Sequence, residues 1–345
     1  MIEKIISGYC VLNIHSDVIY AAKGYKIYKS FDEAKNWEFD GVVDDFKFTF
    51  LSKIRLSARL FRAEITDLLV LQDGSRILIG KKGIFVAKKN SKNYKKTFEI
   101  PRGTRPLNIC EDLSSGIIYF GEYLSNPERE PVNIYYSKDG GSTWNVCYTF
   151  AKNTIRHVHG IFYDKFEKKI WFATGDLDRE CIIGYTSDGF KTVEIFKKDK
   201  QKYRTVQIFF YKYYIVYGTD TEYERNFIYQ ISRKDKNEKK LMNLEGSVLS
   251  GSGDENGVIL STAVEPSEVN NDIFSHIMYS KNGIQWIELC AFEKDDYSKK
   301  YFQYGRVKFP RNAILNNKLY LSGHALKGID GNSVVFNLDK VAGDE

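Results

Sequence analysis

The densest group of chemically active side chains in the sequence lies near its middle, where Arg156, His157 and His159 precede Asp176. The chain has only five histidines, and two of them stand here, separated by one residue. An imidazole titrates near neutral pH and can serve as a general base. Because side chains alternate along a strand, we expect His157 and His159 to point one way and Arg156 the other. A metal site is an alternative, but a His-x-His pair with no fixed third ligand is a weak signal, and no metal ion is predicted.

Arginines recur at similar distances before apolar runs that end in glycine. A planar guanidinium matches carboxylate, sulfate or phosphate groups, so these arginines are candidate substrate-binding residues. Gln201 stands close to one of them and joins this set. The alternative is that the arginines pair with acidic residues of neighbouring modules. The five arginines are Arg62, Arg105, Arg156, Arg204 and Arg306.

Acidic or ionisable residues follow the same apolar runs, so we expect them on the same face as the arginines. Two facing carboxyl groups are what acid–base cleavage of a glycosidic bond requires. A tyrosine next to an arginine can act as an acid or a nucleophile. The same carboxylates could instead neutralise the arginines. The candidate catalytic residues are Glu122, His157, His159, Asp176, Tyr203, Asp220, Glu265 and His324.

A module that repeats about every fifty residues must position these side chains. Its best copy runs from Ser137 to Trp144 as Ser-Lys-Asp-Gly-Gly-Ser-Thr-Trp, after a short apolar run. In such a turn the aspartate accepts backbone N–H bonds and glycine permits the backbone conformation, so Asp139 and Asp188 are predicted to be structural. Weaker copies begin at Ser30, Thr186 and Ser280.

The complete copy fits the pattern S-x-D-x-G-x-T-W and resembles the Asp-box, or BNR, repeat of sialidase-like β-propellers. The segments 156–178 and 203–268 also resemble uncharacterised bacterial Asp-box proteins. The resemblance implies a β-propeller fold. Sialidases are similar in placing several arginines from different blades around a substrate carboxylate, although this sequence has no Arg-Ile-Pro motif near its N-terminus.

Seven apolar runs, each with a strand candidate before it, predict an all-β fold: a seven-bladed β-propeller of four-stranded antiparallel blades. The last module lacks a fourth strand of its own, so we predict that an N-terminal strand at 3–7 closes that blade. A six-bladed ring is the alternative, and the basic segment 52–62 is expected to be an insertion between blades. The chain 1–345 is predicted to be one domain. Its modules are approximately 9–45, 62–100, 103–150, 153–198, 202–245, 247–292 and 303–340 plus 1–8.

The composition is that of a globular protein, with 43% hydrophobic residues and a net charge of +6. This mild excess does not by itself indicate nucleic acid, and no partner of that kind is predicted. Five widely spaced cysteines fit free thiols in a reducing compartment. No signal peptide and no apolar run of membrane-spanning length is evident, which favours a cytoplasmic protein without a membrane partner. The sequence contains no GxGxxG and no P-loop motif, so no cofactor is predicted.

The leading interpretation is an enzyme that cleaves glycosidic bonds in an anionic, uronate- or sialate-like glycan at the arginine-rich face, as a glycoside hydrolase does. In the first alternative, a polysaccharide lyase, arginine neutralises a uronate carboxylate while Tyr203 or a histidine removes a proton. In the second, a non-catalytic propeller binds a glycan or a protein. The expected partner is an acidic oligo- or polysaccharide, and the sequence leaves the oligomeric state open.

Overall fold

The computed structural model describes residues 2–254 and 257–339, and it is 49% strand and 7% helix. Most strands pair antiparallel with their neighbours in the chain, and several of the sheets have four strands. This confirms the predicted all-β propeller fold.

The strands are short and follow one another closely. Strands β1 to β9 are Ile2–Ile6, Cys10–His15, Val18–Lys23, Lys26–Ser30, Glu38–Val43, Asp67–Val70, Arg76–Gly80, Gly83–Ala87 and Asn93–Glu99. Strands β10 to β21 are Cys110–Glu111, Ile118–Gly121, Val132–Ser137, Asn145–Phe150, His157–Asp164, Lys169–Gly175, Ile182–Thr186, Glu194–Lys198, Ile208–Phe210, Tyr214–Gly218, Asn226–Ser232 and Glu238–Leu244. Strands β22 to β29 are Val248–Asp254, Gly257–Val264, Phe274–Ser280, Ile287–Glu293, Gly305–Lys308, Ile314–Leu315, Lys318–His324 and Ser333–Asn337.

Within the described residues, the strands group into successive four-stranded meanders. These meanders are β2–β5, β6–β9, β10–β13, β14–β17, β18–β21 and β22–β25. In the last sheet, β28 lies between β26 and β29, and β1 completes the order. The pairings are those that a seven-bladed ring requires, while the number of blades, the single-domain division and the module limits stay predictions.

The N-terminal strand closes the last sheet, as predicted. Strand β1 pairs antiparallel with β29, with Ile5 opposite Val334 and Ile6 opposite Ser333. The observed strand begins and ends one residue earlier than the predicted segment 3–7. Because β1 pairs with β29, β1 is the edge strand of the last sheet, and the start of the chain is joined to its last strand.

Glycine ends the second strand of several blades because the first strand of the next blade packs against it. A Cβ atom on Gly121 would lie 2.4 Å from Val158, and one on Gly218 would lie 2.5 Å from Val248. Both valines belong to the first strand of the following meander, so a larger side chain would force the two sheets apart. Gly121 and Gly218 therefore mark close packing between blades.

The repeated turns between third and fourth strands share one hydrogen-bond pattern. In the best copy, Thr143 donates from its backbone N to Asp139 Oδ1 at 2.9 Å and from its hydroxyl to Oδ2 at 2.7 Å. Asp188 accepts the same two bonds from Thr192 at 3.0 and 2.7 Å. These aspartates bond their own turns, in agreement with a structural role. Membership of the Asp-box family stays a prediction.

Within the described ranges, three short α-helices lie between blades, and the second of them, which follows the first blade, contacts residues near the C-terminal end of the chain. The helices are α1 (Phe46–Leu51), α2 (Arg55–Phe61) and α3 (Lys299–Phe302). The first two form the insertion expected between blades, and Arg55 of α2 donates to Asp330 at 2.6 and 2.9 Å. Arg59 lies 2.5 Å from Asp295. No helix in the part of the chain described here is long and apolar enough to cross a membrane.

Deleting residues 1–8 should lower the midpoint of thermal unfolding, because it uncovers β29 and removes a sheet-forming strand. Within β1, Ile6 is 4% exposed and Ile5 is 48% exposed. We expect Ile6→Ser to lower the free energy of unfolding by about 2–4 kcal/mol. The matched control Ile5→Ser should change it by less than about 0.5 kcal/mol. Urea unfolding measures both, and a deletion variant as stable as the full chain would contradict the closure.

Candidate functional site

Antiparallel pairing brings the start of each blade's first strand beside the end of its second. His157 at the start of β14 lies opposite Gly175 at the end of β15, and Arg306 in β26 lies opposite His324 at the end of β28. We call this end of the ring the mouth. Its charged residues include Glu64, Arg105, Arg156, His157, His159, Asp176, Arg204, Asp220, Glu265, Arg306, Lys308 and His324. Beneath it lies a central cavity of about 500 Å³, lined by residues of β6, β10, β14, β18, β22 and β26.

Asp176 connects four charged or titratable side chains on one part of the mouth. Its Oδ2 accepts a hydrogen bond from Arg156 Nη1 at 2.7 Å, and its Oδ1 lies 3.3 Å from Arg204 Nη2. The Nε2 atoms of His157 and His159 lie 3.3 and 3.2 Å from Oδ1. The structure thus brings the predicted group together. The expectation that Arg156 points away was wrong, because this residue precedes β14 and strand alternation does not govern it.

A backbone carbonyl oxygen lies next to the Nδ1 atom of each imidazole. His157 Nδ1 lies 2.8 Å from Leu124 O, and His159 Nδ1 lies 3.2 Å from Thr205 O. A Cβ on Gly175 would lie 2.5 Å from His159 Cε1, so glycine leaves the space that this ring occupies. Burial lowers the pKa of His159 to about 4.

Two carboxyl groups of the mouth keep oxygen atoms that accept no hydrogen bond from the described residues. Asp220 is 5% exposed, and its closest charged neighbours are Arg204 Nε at 3.7 Å and His159 Nδ1 at 4.0 Å. Burial raises the pKa of Asp220 well above its usual value, although Arg204 opposes the shift. Burial and the charge of Glu222 raise the pKa of Glu265, which has no ion-pair partner in the described part of the chain. Both groups can therefore interact with a ligand.

A second part of the mouth carries cations without carboxylate partners. Arg105, Arg306 and Lys308 line the central cavity. Among residues 2–254 and 257–339, none of the three forms an ion pair, and Arg105 donates only to the carbonyl of Glu64 at 3.0 Å. Burial and the charge of Arg306 lower the pKa of Lys308 well below its usual value. Positive charge that no carboxylate offsets attracts an anion.

His324 lies with these cations, away from the other two histidines. Its Nδ1 is 3.4 Å from Glu64 Oε2, and Arg55 donates to Glu64 Oε1 at 2.6 Å. Burial lowers the pKa of His324 to about 4. Burial alone would raise the pKa of Glu64, but the charges of His324 and Arg55 hold it well below its usual value. This pair neutralises part of the cationic region.

The structure places two predicted catalytic residues outside the mouth clusters. Glu122 accepts a hydrogen bond from Arg102 Nε at 3.2 Å and is buried. The Tyr203 hydroxyl donates to Glu238 at 2.5 Å. Both side chains are occupied by these partners, and their catalytic assignment stays a prediction.

Two residues that were predicted to bind substrate, Gln201 and Arg62, have structural contacts instead. Gln201 is buried and donates from Nε2 to the backbone oxygen of Asp176 at 2.9 Å, so it supports the loop that carries this aspartate. Arg62 caps the C-terminus of α2 and is exposed. Of the other arginines, Arg204 lies 3.3 Å from Asp176 of the neighbouring module, as the ion-pairing alternative expected, whereas Arg156 pairs with Asp176 of its own module. Arg105 and Arg306 form no ion pair within the described residues.

Sequence reasoning missed several residues of the mouth. Lys308 follows Arg306 by two positions in β26, and the alternation of a strand could have indicated that both reach the cavity. The ring of Tyr123 lies 4.2 Å from that of His157, and the Arg306 guanidinium lies 5.7 Å from the ring of Tyr304. No sequence motif marks these two tyrosines.

The fold and the mouth define a β-propeller protein with a charged opening above a central cavity. No family model and no curated protein matches the chain. Solved structures do: the extracellular domain of BT4673 from B. thetaiotaomicron is 10% identical with a TM-score of 0.59, covering 97% of this chain and 41% of that one. A chain of a mitotic checkpoint complex is 10% identical with a TM-score of 0.56, covering 98% and 94%.

A GH74 enzyme from Niastella koreensis has the same fold, with 12% identity and a TM-score of 0.57. The match covers 93% of this chain and 51% of the enzyme, so the chain spans about half of the enzyme's length. At these identities the likeness shows the fold alone.

Replacing Arg204 should cost far more stability than replacing Arg105. Arg204→Met leaves Asp176 and Asp220 without a shared cation, and we expect a loss of about 2–4 kcal/mol in the free energy of unfolding. Arg105→Met removes a charge that has no carboxylate partner, so the change should be below about 1 kcal/mol. Chemical unfolding of both variants measures the difference. Equal losses would contradict the division of the mouth into paired and unpaired arginines.

Proposed function

We propose that this protein is a glycoside hydrolase that acts on an anionic glycan at the mouth. One observation carries the proposal: two available carboxyl groups, Asp220 and Glu265, share the mouth with three unpaired cations above the central cavity. The fold, which is like that of GH74 enzymes, is compatible with this chemistry. Because one fold hosts many functions, the site carries the argument.

Asp220 and Glu265 are the proposed acid and base. One carboxyl group in its protonated form gives a proton to the leaving-group oxygen as the glycosidic C–O bond breaks. The other, ionised, either takes a proton from the water that adds to the anomeric carbon or attacks that carbon first. The two residues follow β19 and β23, which are the second strands of neighbouring meanders, so both can approach one bond. Asp176 is bound by two arginines and does not have this freedom.

Arg105, Arg306 and Lys308 are the proposed binding site for the substrate's acidic group. A uronate or sialate carboxylate would receive charge-assisted hydrogen bonds from the guanidinium groups. The cations line the cavity wall, so an acidic sugar would direct its charge inward while the bond to be cleaved lies near Asp220 and Glu265. The uronate or sialate preference rests on this charge alone.

A polysaccharide lyase is the second candidate, because Tyr304 stands beside Arg306 at the mouth. In this reaction Arg306 would neutralise a uronate carboxylate while Tyr304 removes the proton from the adjacent carbon. The glycosidic C–O bond breaks as the carbon–carbon double bond forms, and the leaving oxygen takes up a proton. The product would carry a carbon–carbon double bond, which a hydrolase product lacks.

Turnover should depend on Asp220 and Glu265. We expect Asp220→Asn and Glu265→Gln each to slow hydrolysis more than about 100-fold, because each removes a proton-transferring group. The assay uses a panel of uronate, sialate and sulfated glycans and follows both reducing ends and ultraviolet absorbance. Glu122→Gln is the matched control: it stands after the second strand of another blade and should keep activity if its melting temperature is unchanged. Absorbance from an unsaturated product would instead support the lyase, and no turnover on any glycan would overturn the enzyme assignment.

Binding of the acidic glycan should depend on the unpaired cations. We expect the double variant Arg105→Met/Arg306→Met to weaken binding by more than about tenfold, because it removes charge-assisted contacts. Arg179→Met/Arg225→Met, at two exposed positions, removes the same net charge and should leave affinity within about threefold. Isothermal titration calorimetry at two salt concentrations compares the pairs. Equal effects would show that net charge, and not this site, governs binding.

A further inference from the structure

We propose that His157, His159 and Asp176 bind one divalent transition metal ion, for which Zn²⁺ is the best fit. Their nearest ligand atoms all lie within 4.8 Å of one another. The three residues are 5%, 2% and 6% exposed, so the site is buried and built into the fold. The inference concerns metal binding and does not rest on the proposed hydrolase activity.

The backbone fixes which imidazole nitrogens are available. His157 Nδ1 faces the carbonyl of Leu124 at 2.8 Å, and His159 Nδ1 faces the carbonyl of Thr205 at 3.2 Å. A carbonyl oxygen only accepts hydrogen bonds, so each Nδ1 carries the proton. In the neutral form of each imidazole, Nε2 then presents a lone pair. A second ring nitrogen bonded to a backbone carbonyl is also the usual support of a metal-binding histidine.

Three electron-pair donors consequently point at one another. The two Nε2 atoms are 3.0 Å apart, and they lie 3.3 and 3.2 Å from Asp176 Oδ1. With both imidazoles neutral, no hydrogen atom stands between any two of these three atoms, and their mutual approach is repulsive. A cation placed among them removes the repulsion, either as a proton shared by the histidines or as a metal ion.

The spacing of the three atoms favours a metal ion. Ligand atoms about 2.0–2.1 Å from a tetrahedral Zn²⁺ lie about 3.3 Å from each other. The observed separations of 3.0, 3.2 and 3.3 Å form one face of such a tetrahedron. A fourth position would be left for water or a substrate oxygen, as in zinc sites that take part in catalysis. Two imidazoles and one carboxylate suit Zn²⁺ better than Mg²⁺ or Ca²⁺, which prefer oxygen ligands.

The surrounding charges are compatible with a bound cation. Arg156 Nη1 donates to Asp176 Oδ2 at 2.7 Å and so orients the carboxylate, while Oδ1 faces the two histidines and also lies 3.3 Å from Arg204 Nη2. Arg204 is close enough to repel a metal ion, but Asp220 and Glu222 lie 3.7 and 3.8 Å from its guanidinium and offset its charge.

The test is direct metal titration of the whole protein after treatment with a chelator. We expect one equivalent of Zn²⁺ to bind and to raise the melting temperature, because the ion binds the folded state. Co²⁺ should give the visible absorption of a four-coordinate ion, and X-ray absorption should show two imidazole ligands. Mg²⁺ and Ca²⁺ should have no effect.

Matched variants locate the ion. His159→Gln and Asp176→Asn should weaken Zn²⁺ binding at least about 100-fold. The control is His276→Gln, because His276 also faces two carboxylates, with its nitrogens 3.0 Å from Asp272 and 2.9 Å from Glu288. This variant should bind one equivalent. Circular dichroism checks folding, and the X-ray absorption of the unmodified protein needs no variant.

Two results would overturn the inference. The first is that the protein binds no stoichiometric Zn²⁺ and that its imidazole NMR signals do not change when the ion is added. This result is expected if the two histidines share a proton instead of a metal ion. The second is binding that survives in His159→Gln and disappears in His276→Gln. Metal binding without glycan turnover would support this site and count only against the proposed enzyme.

Discussion

The antiparallel pairing of the first two strands in each blade is the constraint on which the mouth depends. It fixes the start of one strand beside the end of the next, so residues far apart in sequence meet at one end of the ring, as His157 and Gly175 do. The close approach of successive sheets adds a second requirement, since Gly121 and Gly218 leave no room for a Cβ. Once these contacts and the closure of β29 by β1 are in place, the innermost strands surround the central cavity.

The charges of the mouth are divided between pairs and unpaired groups, and this division gives each part its chemistry. Burying a charged group is costly unless an opposite charge or hydrogen bonds compensate it. Around Asp176 that compensation is nearly complete, because two arginines contact its carboxylate. These contacts hold the surrounding side chains in fixed positions. Around Arg105, Arg306 and Lys308 Glu64 provides only part of it, so an anion from solution would complete the compensation. For Asp220 and Glu265 the charge compensation is intermediate between these two cases.

The fold alone does not decide what the protein does. Chains of the same fold include a GH74 enzyme, an extracellular domain of BT4673 and a component of a mitotic checkpoint complex. Propellers share the ring and differ in the side chains at its openings, so function must be argued from those side chains. Here the proposed hydrolase, the alternative lyase and the proposed metal site would use different atoms of one mouth. An ion on His157, His159 and Asp176 would leave Asp220 and Glu265 to the substrate.

The sequence by itself determined the all-β propeller, the closure by the N-terminal strand and the face on which the arginines and carboxylates gather. Those features follow from local periodicity, turn chemistry and strand alternation, which act over a few residues and repeat along the chain. It could not show that Glu122 is held by Arg102, that Tyr203 is held by Glu238, or that Arg105 lacks a carboxylate partner. These side-chain contacts depend on the three-dimensional course of loops and strand ends, which a repeating sequence pattern does not specify. Strand pairing within one meander did bring Asp176 next to His157 and His159, as the sequence indicated, but only the structure shows that its Oδ1 lies 3.2 Å from His159 Nε2.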